Sequence, residues 1–344
     1  MSLPWSPVAA TGVGSMPGTS AIEAARVVAG ELPDFVHVVE LPARGPGADL
    51  IGRAGAMLAS VSADFGLETT PTGWRIAGAP GRQVRRAASW LGEDLDAFEE
   101  TTQGYGGPVK GQVVGPWTFA ASVELAGGER ILRDGGAVRD VGAALAEAAA
   151  EQVVELRRRV PGASAVVVQV DEPGLRAVLD GSIGTASGLS SYAAVDPQVA
   201  GQRLAVVLEA ITDAGGVPVV HCCAARPPVG LLVAAGAAAV GVDLLLVDAE
   251  TEVQVGEALD AGAGLIAGSV PSLGAGTLTD TVASGPIRGL LHRLGMDDDR
   301  WLSQVAVTPA CGLAGASPDW TRTALAACRA VGRVLRNESQ DEAD

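Results

Sequence analysis

Eight short apolar runs, separated by stretches with helical spacing, leave this chain few folds to choose from. The runs fall at residues 8–14, 36–40, 111–115, 165–171, 217–221, 244–248, 264–268 and 305–310. They are rich in Val, Leu and Ile and mostly continuous rather than alternating. That pattern marks strands buried on both faces, as in a parallel sheet covered by helices. Helical patterns lie at 21–30, 48–65, 83–90, 136–159, 197–214, 228–239, 253–261, 278–294 and 319–335, with a β-excursion near 67–77. Thr19 and Ser20 offer a cap for the first helix, and Asp196 followed by Pro197 suits a helical first turn. Eight strand–helix units in order predict an α/β fold, a closed (β/α)8 TIM barrel, as one domain over residues 1–336. The polar, acidic stretch 337–344 is expected to be a disordered tail.

An open doubly wound sheet is the rival architecture. It fits less well, because Gly12-Val13-Gly14-Ser15-Met16-Pro17 lacks the third glycine of a dinucleotide fingerprint and Pro17 interrupts the helix start. At 344 residues the chain suits a single barrel, and 48% hydrophobic residues supply its core. The formal net charge of -16 disfavours nucleic acid and anionic membrane surfaces. Arg82, Arg85 and Arg86 read as a solvated helix face. No secretory signal and no apolar stretch of membrane-spanning length is evident. Four cysteines in so long a chain are not a disulfide framework, so a cytoplasmic protein with reduced thiols is expected.

The strongest chemical signal is Val219-Val220-His221-Cys222-Cys223. A His and a Cys two residues apart, ending an apolar strand, can turn toward one point above a barrel. Zinc takes imidazole and thiolate ligands. Cys311 lies just past the last run and Asp248 ends the intervening one, so four candidate ligands meet at the C-terminal face, where barrel enzymes place their sites. The bland alternative is three ordinary buried thiols and a core histidine. Cys328 belongs to the last helix.

Three further signals accompany it. Asp171 and Glu172 end a strand that should be buried, which is costly unless they meet a cation or donors. A ligand ammonium would serve, as would a helix cap or a pairing with Arg176. Glu40 ends another apolar run, with Arg44 as its bland partner. At Gly14 and Ser15 a glycine permits close backbone approach and a hydroxyl is at hand.

Taken together these residues resemble the cobalamin-independent methionine synthase family. His221-Cys222-Cys223, Asp248 and Cys311-Gly312-Leu313 resemble its zinc site. Gly14-Ser15-Met16-Pro17, Glu40 with Asp49, Gly115-Pro116-Trp117-Thr118 and Asp171-Glu172-Pro173 follow in the family's order. The likeness covers nearly the whole chain and corresponds to the catalytic barrel standing alone, without the second barrel of the long enzymes. It implies a zinc-dependent methyltransferase that forms methionine from homocysteine. His221, Cys223, Cys311 and Asp248 would hold zinc, while Gly14, Ser15, Glu40 and Asp171 would bind homocysteine, with Glu40 and Asp171 at its ammonium.

Three departures from the family pattern bear on the reaction. The fourth zinc ligand is usually Glu; Asp248 stands there, with Glu250 as a substitute. The aromatic platform for folate falls in the stretch 120–122, which has none unless Trp117 replaces it. The relay histidine expected within 268–272 is missing. Since a tertiary amine leaving group needs a proton, a methylcorrinoid donor, free or on a corrinoid protein, is expected to outperform a methylated folate. The alternatives are a zinc-dependent corrinoid methyltransferase for another thiol and a non-catalytic homologue that binds zinc or an amino acid.

Overall fold

The computed structural model describes residues 3–62 and 65–341, with side chains through 336. Eleven strands are present among them: β1 (Ala9–Ala10), β2 (Val36–His37), β3 (Gly66–Thr70), β4 (Gly73–Ala77), β5 (Val109–Val114), β6 (Val123–Glu124), β7 (Val166–Asp171), β8 (Val217–Cys222), β9 (Ala239–Asp243), β10 (Gly264–Val270) and β11 (Val305–Pro309). Eight of them form one parallel sheet in the order β1-β11-β10-β9-β8-β7-β5-β2. The two end strands meet through a parallel bridge between Ser15 and Glu40. Met16 N donates to Glu40 O at 2.8 Å and Glu40 N to Gly14 O at 3.2 Å, so the sheet closes on itself just past β1 and β2. The chain therefore has the (β/α)8 barrel expected from its apolar runs.

Helices cover the outside: α1 (Ala21–Glu31), α2 (Leu50–Val61), α3 (Arg82–Thr101), α4 (Pro116–Ser122), α5 (Gly135–Arg159), α6 (Leu175–Leu179), α7 (Pro197–Asp213), α8 (Val229–Ala234), α9 (Ala249–Asp260), α10 (Asp280–Arg293) and α11 (Pro318–Asp341). Their starts follow local chemistry. Ser20 caps α1, and Asp196 caps α7 through Gln198 N at 2.8 Å, directly before Pro197. Asp49 caps α2 and also accepts from Trp74 Nε1 at 3.1 Å, which ties the β3–β4 hairpin to that helix. No helix among the described residues is long and apolar enough to cross a membrane. Helix α11 continues into the stretch expected as a tail; residues 342–344 lie outside those described.

The barrel interior is apolar below and polar above. Ala9, Val167, Val219, Ala239, Ile266 and Ala306 fill its lower layer with Trp5 and Phe35, whose rings stack at 5.5 Å. Higher up, the inward positions carry His37, Lys110, Gln112, Gln169, Asp171 and His221, all buried.

One strand departs from the sequence reading. The sixth barrel strand is Ala239–Asp243, not 244–248, and α8 ends at Ala234 rather than 239. The Leu-rich run that suggested a strand is a turn, with Leu245 and Leu246 each 49% exposed. Small residues win the strand because the interior is crowded. A Cβ at Gly241 would sit 3.3 Å from the His221 ring.

Candidate active site

The thiols of Cys223 and Cys311, one just past β8 and the other just past β11, lie 3.4 Å apart at the C-terminal end of the barrel. Their shared hydrogen bond pulls Cys311 below the ordinary thiol range and, with burial, pushes Cys223 above it. Cys222, on the opposite face of the strand, is buried in the outer core with a thiol that burial raises to about 11.

His221 lies on β8 with both ring nitrogens buried. Its Nδ1 is 2.9 Å from Asp171 Oδ1, whereas its Nε2 has no partner. A buried polar atom left unpaired costs free energy, so Nε2 is the natural point for a ligand. Among the described residues, however, no three His, Cys, Asp or Glu side chains already form a closed metal cluster. The thiol pair is assembled, and a third donor is not within the same cluster.

Asp248 does not stand with them. It is exposed and caps α9, its Oδ1 accepting from Thr251 N at 2.9 Å and Thr251 Oγ1 at 2.8 Å. Those two bonds hold its carboxyl below the usual range. Glu250 is exposed in the same helical turn. The misplacement follows from the shifted sixth strand. The carboxylate that ends that strand is Asp243, half-buried, accepting from Leu245 N at 2.8 Å. Burial raises it, and the bond from Leu245 N and then nearby His221 partly oppose that rise.

Ser15 and Glu40 share the bridge that closes the barrel. Ser15 also reaches the Cys311 loop: its carbonyl accepts from Leu313 N at 2.8 Å. Gly312 is needed there, since a Cβ would collide with Ser15 Oγ. Gly14 offers its backbone carbonyl to Glu40 N. Glu40 pairs with Arg53 on α2 at 3.3 Å, not with Arg44; Arg53 and Arg44 both bind Asp94 on α3, at 2.5 and 2.9 Å. Burial raises the Glu40 carboxyl, and Arg53 opposes the rise.

Asp171 and Glu172 part company. Asp171 turns inward to His221 and Gln169. Glu172 turns outward and accepts from Trp117 N, Thr118 N and Thr118 Oγ1 at 2.9, 2.8 and 2.7 Å, holding the start of α4. A Cβ at Gly115 would collide with it, and burial raises it to about 7. Arg176 takes neither carboxylate; it pairs with Asp180 at 2.6 Å.

Trp117 is no platform for a ligand. Its ring is buried and its Nε1 donates to Ala200 O at 3.0 Å. No histidine stands in the 268–272 stretch: besides His221 the chain has His37, inside the barrel, and His292, exposed on α10.

The sequence reading missed Lys110, Gln169, Arg53 and Asp94. Lys110 is 0% exposed, with its Nζ donating to Val13 O at 2.8 Å and Gln169 Oε1 at 2.7 Å. Burial lowers it to about 7 against the pull of Asp171 and Glu40. A period-two pattern of polar residues within a Val-rich strand, Lys110 and Gln112 in β5, was the available signal.

A closed barrel with paired thiols, a histidine and inward carboxylates above its C-terminal end has the layout of a barrel enzyme. The family described as "Cobalamin-independent synthase, Catalytic domain" matches residues 8–333, and the chain belongs to that family, one of homocysteine methyltransferases. No curated protein matches the chain. Among solved structures it is similar to a B12-independent methionine synthase from Shewanella sp. W3-18-1 in complex with selenomethionine. The TM-score is 0.60 at 13% identity, covering 96% of this chain and 98% of that one. It is also similar to GH5_18 from Streptomyces cattleya, with a TM-score of 0.47 and 15% identity over 96% and 80% of the two chains.

Proposed function

We propose that the protein methylates the thiol of homocysteine, with zinc held by His221, Cys223 and Cys311 and Asp243 as the nearest further carboxylate. The observation that carries this reading is the thiol pair beside a histidine whose Nε2 is buried and unpartnered. Two sulfurs on one tetrahedral zinc, each at roughly 2.3 Å, stand about 3.8 Å apart. The 3.4 Å separation of the thiols is close to that. Imidazole and thiolate are also the donor types zinc prefers. The family match and the selenomethionine in the Shewanella protein fit a site for a sulfur amino acid and its methylated product.

Zinc supplies a cationic centre that favours the thiolate form of a substrate sulfur at neutral pH. The chain's own residues do the rest. Asp171 and Glu40 present negative charge to the substrate ammonium, and Glu40 is kept in place by Arg53. Ser15 and the backbone of residues 14–16 line the other side, fixed to the Cys311 loop. The buried surroundings restrict water around the reacting sulfur.

The corrinoid donor and corrinoid partner expected from the sequence find no support in the comparisons. The family is described as cobalamin-independent and the Shewanella protein as B12-independent. The donor in this proposal is a methylated tetrahydropteroylglutamate. A specific observation favours the other donor: Trp117 is buried and the 268–272 stretch holds no histidine, and these are the two positions at which a pterin platform and a proton relay were expected. Initial rates of methionine formation by zinc-loaded protein with each donor decide between them. Faster turnover with the methylated folate is expected. Faster turnover with methylcobalamin reverses the donor assignment, and no methionine from either overturns the function.

A further inference from the structure

Lys110 lies deep in the barrel and touches none of the residues assigned to zinc, yet a continuous line of hydrogen bonds leads from it to His221. Lys110 Nζ donates to Gln169 Oε1 at 2.7 Å. Gln169 Nε2 donates to Val13 O at 2.9 Å and to Asp171 Oδ1 at 2.8 Å. Asp171 Oδ1 meets His221 Nδ1 at 2.9 Å. Lys110, Gln169, Asp171 and His221 are all buried.

The polarity of this line is fixed by Lys110 and Val13 together. Lys110 Nζ donates to both Gln169 Oε1 and Val13 O, and the Val13 carbonyl only accepts, so the Gln169 amide turns its oxygen toward Lys110 and its NH2 toward Val13. Its NH2 then faces Val13 O and Asp171. An amide NH2 only donates, which obliges Asp171 Oδ1 to accept. That oxygen, already accepting from Gln169, is satisfied by a second donor, and His221 Nδ1 supplies it only when it carries the proton. The proton on Nδ1 leaves Nε2 with a lone pair, and Nε2 is the nitrogen without a protein partner. Each link has one arrangement in which donors meet acceptors, and Lys110, with the Val13 carbonyl it binds, holds it.

We propose that Lys110 is a positioning residue that, through Gln169 and Asp171, locks His221 in the Nδ1–H tautomer and so presents the Nε2 lone pair to zinc. The zinc half of this statement rests on the function proposed above; the tautomer half does not. A carboxylate on the far nitrogen of a ligating histidine is a recurrent arrangement, and losing such outer partners weakens metal binding about 10–100-fold. Here the arrangement extends two residues further, to a buried lysine.

Nitrogen-15 NMR of histidine-labelled, zinc-free protein tests it. The chain has three histidines, so the spectrum is simple, and the His292→Gln variant removes the exposed one. Wild-type His221 should show a protonated Nδ1 and an unprotonated Nε2. Lys110→Met, and the near-isosteric Gln169→Glu, which keeps an acceptor toward Lys110 but no longer donates to Asp171, should each give a mixture of tautomers. Zinc affinity, measured by competition with a chromophoric chelator, should fall by roughly 10–100-fold in both. Lys110→Arg, which retains a charged donor, should restore much of the wild-type tautomer. An unchanged tautomer and unchanged zinc affinity in a folded Gln169→Glu protein overturn the proposal, even if Lys110→Met fails to fold. Tautomer loss in the variants of a protein that binds no zinc supports the positioning role and overturns the zinc reading alone.

Discussion

Cys223 and Cys311, 88 residues apart in the chain, bring their Sγ atoms to 3.4 Å from one another across the two barrel strands that separate β8 from β11. Among the described residues the thiols hydrogen-bond to each other and to no other side chain, and the His221 charge favours the Cys311 thiolate. The site is thus assembled by the ordering of strands around the barrel, not by local sequence.

Zinc content follows from that pair. Cys223→Ser and Cys311→Ser should each lower bound zinc well below one ion per chain, read by elemental analysis after dialysis against a weak chelator. Cys222→Ser should keep it, because that thiol is buried in the outer core. Full zinc in both of the first two variants would remove them as ligands.

The two aspartates near the sixth strand should behave differently. Asp243→Ala is expected to weaken zinc binding, since Asp243 ends β9 and faces His221. Asp248→Ala removes a helix cap and should lower stability measurably while leaving zinc affinity unchanged. Chelator competition and thermal melts on both proteins separate the two effects. The reverse pattern would restore Asp248 as a ligand.

Glu40→Gln should weaken homocysteine binding by roughly 2–5 kcal/mol, the range for losing one partner of a buried charged pair. Calorimetry on zinc-loaded protein reads this directly. Wild-type affinity would mean that Glu40 serves only to hold Arg53.

Buried His37 supplies a pH prediction. Burial, with the Lys110 charge beside it, lowers its pKa to about 3, below the ordinary value near 6.5. The unfolded chain therefore takes up a proton below pH 6.5 that the folded chain refuses. The stability contribution is fully present above that pH and is lost as pH falls toward 3. The wild-type melting temperature should drop over this window, and His37→Gln should drop less. Parallel curves for the two proteins would contradict the assignment.

Seven of the eight barrel strands could be read from continuous apolar runs, because a strand covered on both faces has no polar side to show. The sixth could not. Ala239 and Gly241 are small because the interior is full, and the greasier run that follows is partly exposed. Asp248 was misjudged for that reason alone. His221, Cys223 and Cys311 were legible because their residue types are rare at strand ends. Lys110 and Gln169 were not, because their meaning lies in partners contributed by other strands. Arg53 and Asp94 were hidden in ordinary helical patterns, where a buried charge looks like a surface one until the helices are packed.

The bridge from Ser15 to Glu40 has one more implication. Every other neighbouring pair of barrel strands is joined by a ladder of at least two paired residues, whereas β1 and β2 meet, among the described residues, at this single rung. The ring's weakest joint is therefore made by two of the residues proposed to grip the substrate. An amino acid spanning them would act as a rivet across the seam, so occupancy and closure of the hoop become one event. Hydrogen exchange at the Met16 and Glu40 amides, which form that rung, is where the riveting would register first.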